Sequence, residues 1–190
     1  MGTSTTSWSS PRIAGPGACT PCSATRRSSR RRSCGGSRSR RNRWRRPGGR
    51  KMHSSVEGEL VIAKLDDGED LLKSIDELAV KHRLENAMVM WAIGMLRDLE
   101  IGHFNGKAYE KATYAEPLEL VSLHGTYAGK ADPKLHIHAA AASRDHRIVG
   151  GHVFHATVST LNEVCLWKLW RTKMDRVLHP RSGLKELTLR

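Results

Sequence analysis

Two short segments, Leu135–His138 (LHIH) and Gly150–Val153 (GGHV), decide how this chain of 190 residues folds. Successive side chains of a β-strand point to opposite faces, so His136 and His138 share one face, about 7 Å apart along the strand. The second segment places His152 directly after two glycines, which permit a close backbone approach or a β-bulge. The two segments therefore predict paired strands with histidines on a common face.

The polar centre of the stretch between these segments predicts the register of the pair. If Arg144–His146 forms a three-residue hairpin loop, Ser143 lies opposite Arg147 and His138 lies opposite His152. Directly opposed side chains have Cβ atoms about 4.5–5.5 Å apart, close enough for two imidazoles to share one ion. A two-residue loop would instead move His152 to the other face, so the prediction depends on the loop length.

Three histidines on one face of a hairpin are typical of a metal site. Imidazole nitrogen is a common zinc ligand, and three protein ligands with one open position are usual for reactive zinc. We therefore predict that His136, His138 and His152 bind zinc or another divalent transition metal. The alternative is that one or two of them are half-buried histidines that hydrogen-bond to their neighbours.

The chain from Gly68 to Leu166 resembles the plants-and-prokaryotes conserved (PPC) domain. The likeness covers about half of the chain, with its pieces in the right order, and the paired HxH and GGH motifs are its most specific part. The matching pieces are Gly68–Leu71, Ala92–Leu96, Leu118–Gly125, Pro133–His138 and Ile148–Val153.

The resemblance implies an α+β fold that assembles as a homotrimer. It also implies a metal site, in prokaryotic members, at the positions matched here by His136, His138 and His152. In land plants the same domain follows a DNA-binding AT-hook in nuclear proteins.

The remaining patterns predict one helix among many strands. Asp67 is suited to cap a helix whose apolar positions run from Leu71 to Ala79. Ala87–Leu96 predicts a central strand, with Gly94 at a bulge or a close approach. Residues 52–190 are therefore expected to form one α+β domain, a mostly antiparallel sheet packed with one main amphipathic helix. Further strands are predicted at Leu60–Leu65, Leu99–Phe104, Tyr109–Tyr114, Leu118–Thr126, Ala156–Leu161, Val164–Trp167 and Gly183–Leu189.

The formal charge of +13 is concentrated in residues 1–51. That segment contains 13 Arg, one Lys and no acidic residue, whereas residues 52–190 carry 18 basic and 19 acidic side chains. The segment is also rich in Ser and Gly and poor in aliphatic residues, so we predict that it is a disordered tail. The domain itself has no bulk electrostatic reason to bind nucleic acid.

Four interpretations of residues 1–51 remain open. In the first, translation starts at Met52 and the segment is not part of the protein. In the others, the segment is a basic arm that binds nucleic acid, an organelle transit peptide, or the carrier of an AT-hook. The AT-hook is disfavoured because Arg45 stands where a glycine must enter the narrow minor groove. The residues predicted to contact nucleic acid are Arg43, Arg45, Arg46, Arg50 and Lys51.

Two functional classes are compatible with these features. The first is a trimeric, metal-binding module that is regulatory or associated with DNA. The second is a zinc-dependent enzyme of the hydrolase type, in which the three-histidine site activates water. In a third possibility the metal only stabilises the hairpin or a subunit interface and binds no further ligand. The acids available for an enzyme, none singled out by its spacing, are Glu69, Asp70, Glu119 and Glu163.

The cysteines and the hydropathy indicate the cellular compartment. Cys165 is the one cysteine in residues 52–190, so no disulfide forms within the domain, which fits a reducing compartment. No run approaches the ~18 apolar residues of a membrane span. A cytoplasmic location is expected, at the nucleoid if the protein binds DNA, or an organelle if the tail is a transit peptide.

Overall fold

The computed structural model describes residues 53–190, which form one helix and nine strands. The predicted fold class is confirmed: the sheet is antiparallel throughout, and one amphipathic helix packs with it. In chain order the elements are β1 (His53–Glu57), β2 (Leu60–Asp66), α1 (Leu71–Lys81), β3 (Asn86–Phe104), β4 (Tyr109–Tyr114), β5 (Leu118–Ala128), β6 (Leu135–Ala142), β7 (Ile148–Lys168), β8 (Met174–Leu178) and β9 (Lys185–Leu189).

Four strands close into a ring. β7 pairs with β6, β6 with β5, β5 with β3, and β3 pairs back with β7. Inward-pointing side chains such as Ile137 and Val153 are almost fully buried and fill the interior, whereas their neighbours along each strand point outward. β1 and β2 extend the sheet beyond β7, and β4 extends it beyond β3.

The two longest strands join segments that the sequence predicted as separate. Ala87–Leu96 and Leu99–Phe104 both lie in β3, and the two predicted strands between Ala156 and Trp167 lie in β7. Register shifts along the β3–β7 pair let both strands bend without ending. The bends allow each long strand to pair with different neighbours along its length.

Gly94 lies at one of these bends, as predicted. Its φ is +132°, and a Cβ atom built there would collide with the carbonyl oxygen of Leu161. The buried Asn162 fills the irregularity, because its Nδ2 donates to Met95 O at 2.7 Å and to Leu161 O at 2.6 Å. Glycine is therefore required at this position by the close approach of β7.

Helix α1 is capped by Asp70, and the predicted cap at Asp67 is wrong. The Asp70 carboxylate accepts a hydrogen bond from Lys73 N at 3.0 Å, which satisfies a backbone donor of the first turn. Asp67 lies one turn earlier and instead contacts Arg97 Nη1 at 2.6 Å and Thr160 N at 3.1 Å. The buried face of the helix consists of Leu71, Ser74, Ile75, Leu78 and Ala79.

The predicted edge strand within Gly183–Leu189 is β9. It pairs with β8 in a separate two-stranded sheet, in which Arg176 lies opposite Leu187. Asn86 fastens this sheet to the ring, because its Nδ2 donates to Thr172 O at 3.1 Å and its Oδ1 accepts from Met174 N at 3.3 Å. No helix in residues 53–190 has the length and hydropathy to span a membrane.

We predict that Asp67→Ala lowers the free energy of unfolding at neutral pH by about 1 kcal/mol, because Thr160 N–H loses its acceptor. Hydrogen bonds from Arg97 and Thr160 hold the pKa of Asp67 below its usual value. Its stabilisation is therefore fully present above the unfolded pKa of about 3.9 and is lost as the pH falls through the lower folded pKa.

Urea unfolding of the wild type and Asp67→Ala, measured from neutral pH down to pH 2, checks this expectation. The difference between their free energies of unfolding should be constant near neutral pH and should disappear in acid. The control is Glu116→Ala, which removes an exposed carboxylate. A difference that is equally large at both ends of the pH range would contradict the role given to Asp67.

Candidate metal centre

The hairpin of β6 and β7 has the predicted register. Ser143 N donates to Arg147 O at 2.9 Å, and His138 lies directly opposite His152. The loop is three residues long, and its last residue, His146, has a φ of +62°. A left-handed third residue is usual in such loops, so local turn geometry is enough to set this register.

The three histidines converge on the outer face of the ring. Between His136 and His138 on β6, the intervening Ile137 is 1 % exposed and points into the core. The His136 and His138 Nε2 atoms are 3.1 Å apart, and one nitrogen from each of the three rings lies within 4.8 Å of the other two. Tetrahedral zinc with Zn–N bonds of about 2.0–2.1 Å separates two ligand nitrogens by about 3.3 Å. The distance between His136 and His138 is therefore close to that between two ligands of one tetrahedral ion.

Two glycines bring the strand that carries His152 close to its neighbours. A Cβ atom at Gly150 would lie 2.8 Å from Ala139 O, and one at Gly151 would lie 2.7 Å from Gly102 O. Real Cβ atoms do not approach so closely, so any other residue would push β7 away from β6 or β3. The predicted close approach is confirmed, and it brings His152 towards the two histidines of β6.

The ring of His152 is half-buried among aromatic side chains. Its centroid lies 5.0 Å from that of Tyr109 and 4.7 Å from that of Phe154. Its Nδ1 is buried and has no hydrogen-bond partner among residues 53–190. A buried ring nitrogen without a protein partner fits a site that a bound ligand completes.

The surroundings keep two of the histidines in the form that binds metals. Burial, followed by the neighbouring imidazoles and Arg176, lowers the pKa of His152 to about 4. Burial also lowers the pKa of His136, with smaller contributions from Arg176 and His138. Both rings are therefore neutral at pH 7 and have a free lone pair. Imidazole nitrogens are donors that suit zinc and other divalent transition metals.

Other histidines near the hairpin lie outside this group of three. His124 on β5 is directly opposite His138, but its ring contacts Ser122 Oγ at 3.2 Å and is exposed. His155 lies 3.8 Å from an Asp70 carboxylate oxygen. The structure separates both from the three-histidine cluster.

The acids considered for catalysis are also placed elsewhere. Asp70 caps the helix, and Glu69 receives a hydrogen bond from Ser74 Oγ. Glu163 lies opposite Lys64 in the register of β2 and β7. Glu119 is opposite Ala142 at the far end of the hairpin. None of the four belongs to the histidine group.

No pattern in the sequence predicts the wall that faces the histidines. A pocket of about 410 Å³ lies between the outer face of the ring and the β8–β9 hairpin, and His136 and His152 line it. Arg176 of β8 lines the same pocket. Its segment has mixed apolar and charged residues, and no motif or period marks it. The predicted nucleic-acid contacts Arg43, Arg45, Arg46, Arg50 and Lys51 lie outside the described residues.

The family model of the Plants and Prokaryotes Conserved domain matches residues 52–170. The chain belongs to this family. The match contains the whole histidine hairpin and ends before β8, so the β8–β9 hairpin lies outside the family match. A search of curated proteins found no match.

Solved structures of PPC proteins and related chains share this fold. A metal-containing protein of Archaeoglobus fulgidus is 30 % identical over 74 % of this chain and 99 % of its own, with a TM-score of 0.63. A Bacteroides thetaiotaomicron protein described as a "putative dna binding protein" is 20 % identical over 72 % of this chain and 96 % of its own, with a TM-score of 0.65. A Pyrococcus horikoshii PPC protein is 22 % identical over 74 % of this chain and 97 % of its own, with a TM-score of 0.59.

Proposed function

We propose that this PPC protein is a metal-binding module in which His136, His138 and His152 hold zinc or another divalent transition metal. The observation that carries the proposal is the convergence of three ring nitrogens within 4.8 Å on one hairpin. The metal-containing description of the 30 % identical Archaeoglobus fulgidus protein supports it. A bound ion would supply positive charge and one open position beside the pocket.

Elemental analysis of the purified full-length protein tests the metal. We expect about one zinc per chain in the wild type and a loss of most of it in His136→Ala or His152→Ala, because three-ligand binding does not survive the loss of one donor. The matched control is His124→Ala on the adjacent strand, which should keep its metal. Equal metal content in all four proteins would contradict the proposal.

We propose further that three copies assemble through the exposed apolar face of the sheet. Large side chains on β2 and β3, the two strands that flank β7, face solvent, including Ile62 at 45 %, Ile93 at 48 % and Trp91 at 38 % exposure. Side chains of this size in one area are typical of a surface that another chain covers. The homotrimer that the family resemblance implies would cover this face.

Native mass spectrometry tests the assembly. The wild type should have three times the mass of one chain, and Ile93→Asp should dissociate it, because a carboxylate would be buried without a partner at the interface. Val80→Asp is the matched control, since Val80 is 65 % exposed on the helix rather than on the sheet. A monomeric wild type would refute this part of the proposal.

We assign association with DNA to the basic segment before the domain. The described part of the chain carries nearly balanced charge, whereas five cations lie between residues 43 and 51. The DNA-binding description of the Bacteroides protein supports the assignment. On this proposal the protein works in the cytoplasm at the nucleoid, and the trimer presents three basic segments to one duplex.

A salt series with duplex DNA tests this assignment. Glutamine replaces the five cations nearest the domain, Arg43, Arg45, Arg46, Arg50 and Lys51. The slope of log K against log salt should then become less steep by up to about 4.5, since each phosphate contact contributes about 0.9 to it. The control replaces Arg26, Arg27, Arg30, Arg31 and Arg32 in the same way. Equal slopes in both variants would show that the segment nearest the domain has no special role.

A second candidate function is zinc-dependent hydrolysis, and the pocket beside the histidines favours it. A metal with an open position would activate water there at neutral pH. We expect esters, phosphoesters or lactones to be turned over by the wild type and by His124→Ala, but not by His138→Ala. If wild type and His138→Ala have equal rates, the metal acts in binding or in stability instead.

A further inference from the structure

The histidine pocket contains a buried positive charge that the protein does not neutralise. Arg176 is 7 % exposed and lines the pocket together with His136 and His152. Its Nε donates to Pro133 O at 2.9 Å, and its Nη2 donates to Thr126 Oγ1 at 2.8 Å. These partners are neutral, so they orient the guanidinium without balancing its charge.

No carboxylate within residues 53–190 forms an ion pair with Arg176, and its Nη1 makes no hydrogen bond there. The neighbouring cation on the same hairpin differs in this respect, since Lys185 is held by Asp132 at 2.6 Å. Burying a charge without a counter-charge is costly, and proteins rarely do so unless a ligand or partner supplies the opposite charge. The orientation of Arg176 is therefore that of a group prepared for an anion.

The other walls of the pocket are apolar. Tyr109 and Phe154 extend from the ring, and Leu184 and Leu187 come from the β8–β9 hairpin. A volume of about 410 Å³ lies in the range of pockets that enclose a small organic molecule. A free inorganic anion would leave most of this surface uncovered, whereas an aromatic or branched aliphatic body would cover it.

We infer that the histidine pocket binds a small organic carboxylate with an apolar body. The carboxylate would lie between Arg176 and the open position of the metal, and the body would pack against Tyr109 and Phe154. Guanidinium groups match carboxylates in geometry and charge, and a metal beside one adds a second attraction for the same group. The inference deepens the proposed metal function and rests on it only for that second attraction.

A purely structural role for Arg176 predicts different behaviour. The side chain bridges β8 to Thr126 and to the segment before β6, so it also fastens the hairpin to the ring. If that were all, its removal would change stability and leave ligand binding to the folded protein unaffected. The test therefore needs a variant that leaves Arg176 and its hydrogen bonds in place.

Leu187 offers that variant. It lies directly opposite Arg176 in the β8–β9 pair, is 40 % exposed and lines the pocket. Leu187→Glu would place a carboxylate beside the guanidinium, and opposed charges in an antiparallel pair attract. The built-in carboxylate should occupy Arg176 without unfolding the hairpin. Arg181→Gln is the control, because Arg181 is exposed in the turn of the same hairpin.

Isothermal titration of the full-length protein with benzoate, with and without zinc, measures the binding. We expect the wild type and Arg181→Gln to bind equally, and Arg176→Gln and Leu187→Glu to bind at least about tenfold more weakly, since a charge-assisted hydrogen bond is lost. Thermal unfolding monitors each variant, and if Arg176→Gln does not fold, Leu187→Glu decides alone.

The outcomes separate this inference from the metal proposal. Weaker binding by Leu187→Glu in the metal-free protein supports the carboxylate site even if no zinc is taken up. Benzoate affinity that is the same in wild type and Leu187→Glu overturns it, as does a wild type that binds no benzoate in either state. Tighter binding of inorganic phosphate than of benzoate overturns the assignment to organic carboxylates.

Discussion

The pairing of β3 with β7 is the contact on which the rest of the structure depends. It closes the ring, and both strands bend along it, because each also pairs with two other strands. The backbones of the two strands touch at two places, at Gly94 against Leu161 and at Gly151 against Gly102. Glycine at these positions therefore serves the closure of the sheet more than any local turn.

Closure also determines what the histidines face. Inward side chains such as Ile137 fill the ring, so the alternate positions of β6 must point outward. Buried side chains occupy the interior of the ring, and the histidine site lies on its outside. The β8–β9 hairpin then supplies the missing wall, and Arg176 reaches the histidines from a part of the chain outside the family match.

The histidine hairpin could be predicted from the sequence because its information is local. A three-residue loop, two glycines and the two-residue period of a strand are enough to place His138 opposite His152. The helix was also predictable, but its first residue was not. Asp67 and Asp70 are both good caps, and only the contacts of Asp67 with Arg97 and Thr160 decide between them.

The features that the sequence did not predict are non-local. The position of His124 opposite His138 follows from β5 lying beside β6, which no pattern along the chain specifies. The continuity of β3 and β7 through their bends depends on contacts between distant segments, such as Asn162 with Met95, which are 67 residues apart. The place of Arg176 depends on how the last twenty residues fold back, and their mixed composition is compatible with many arrangements.

The three converging imidazoles come from a single stretch of seventeen residues, His136 to His152. The entropy cost of bringing chain segments together grows with the number of residues between them, so these side chains meet at a small cost. Their convergence requires only that one short ribbon forms. An ion that binds there would therefore stabilise the hairpin early in folding, before the more distant strands pair and close the ring.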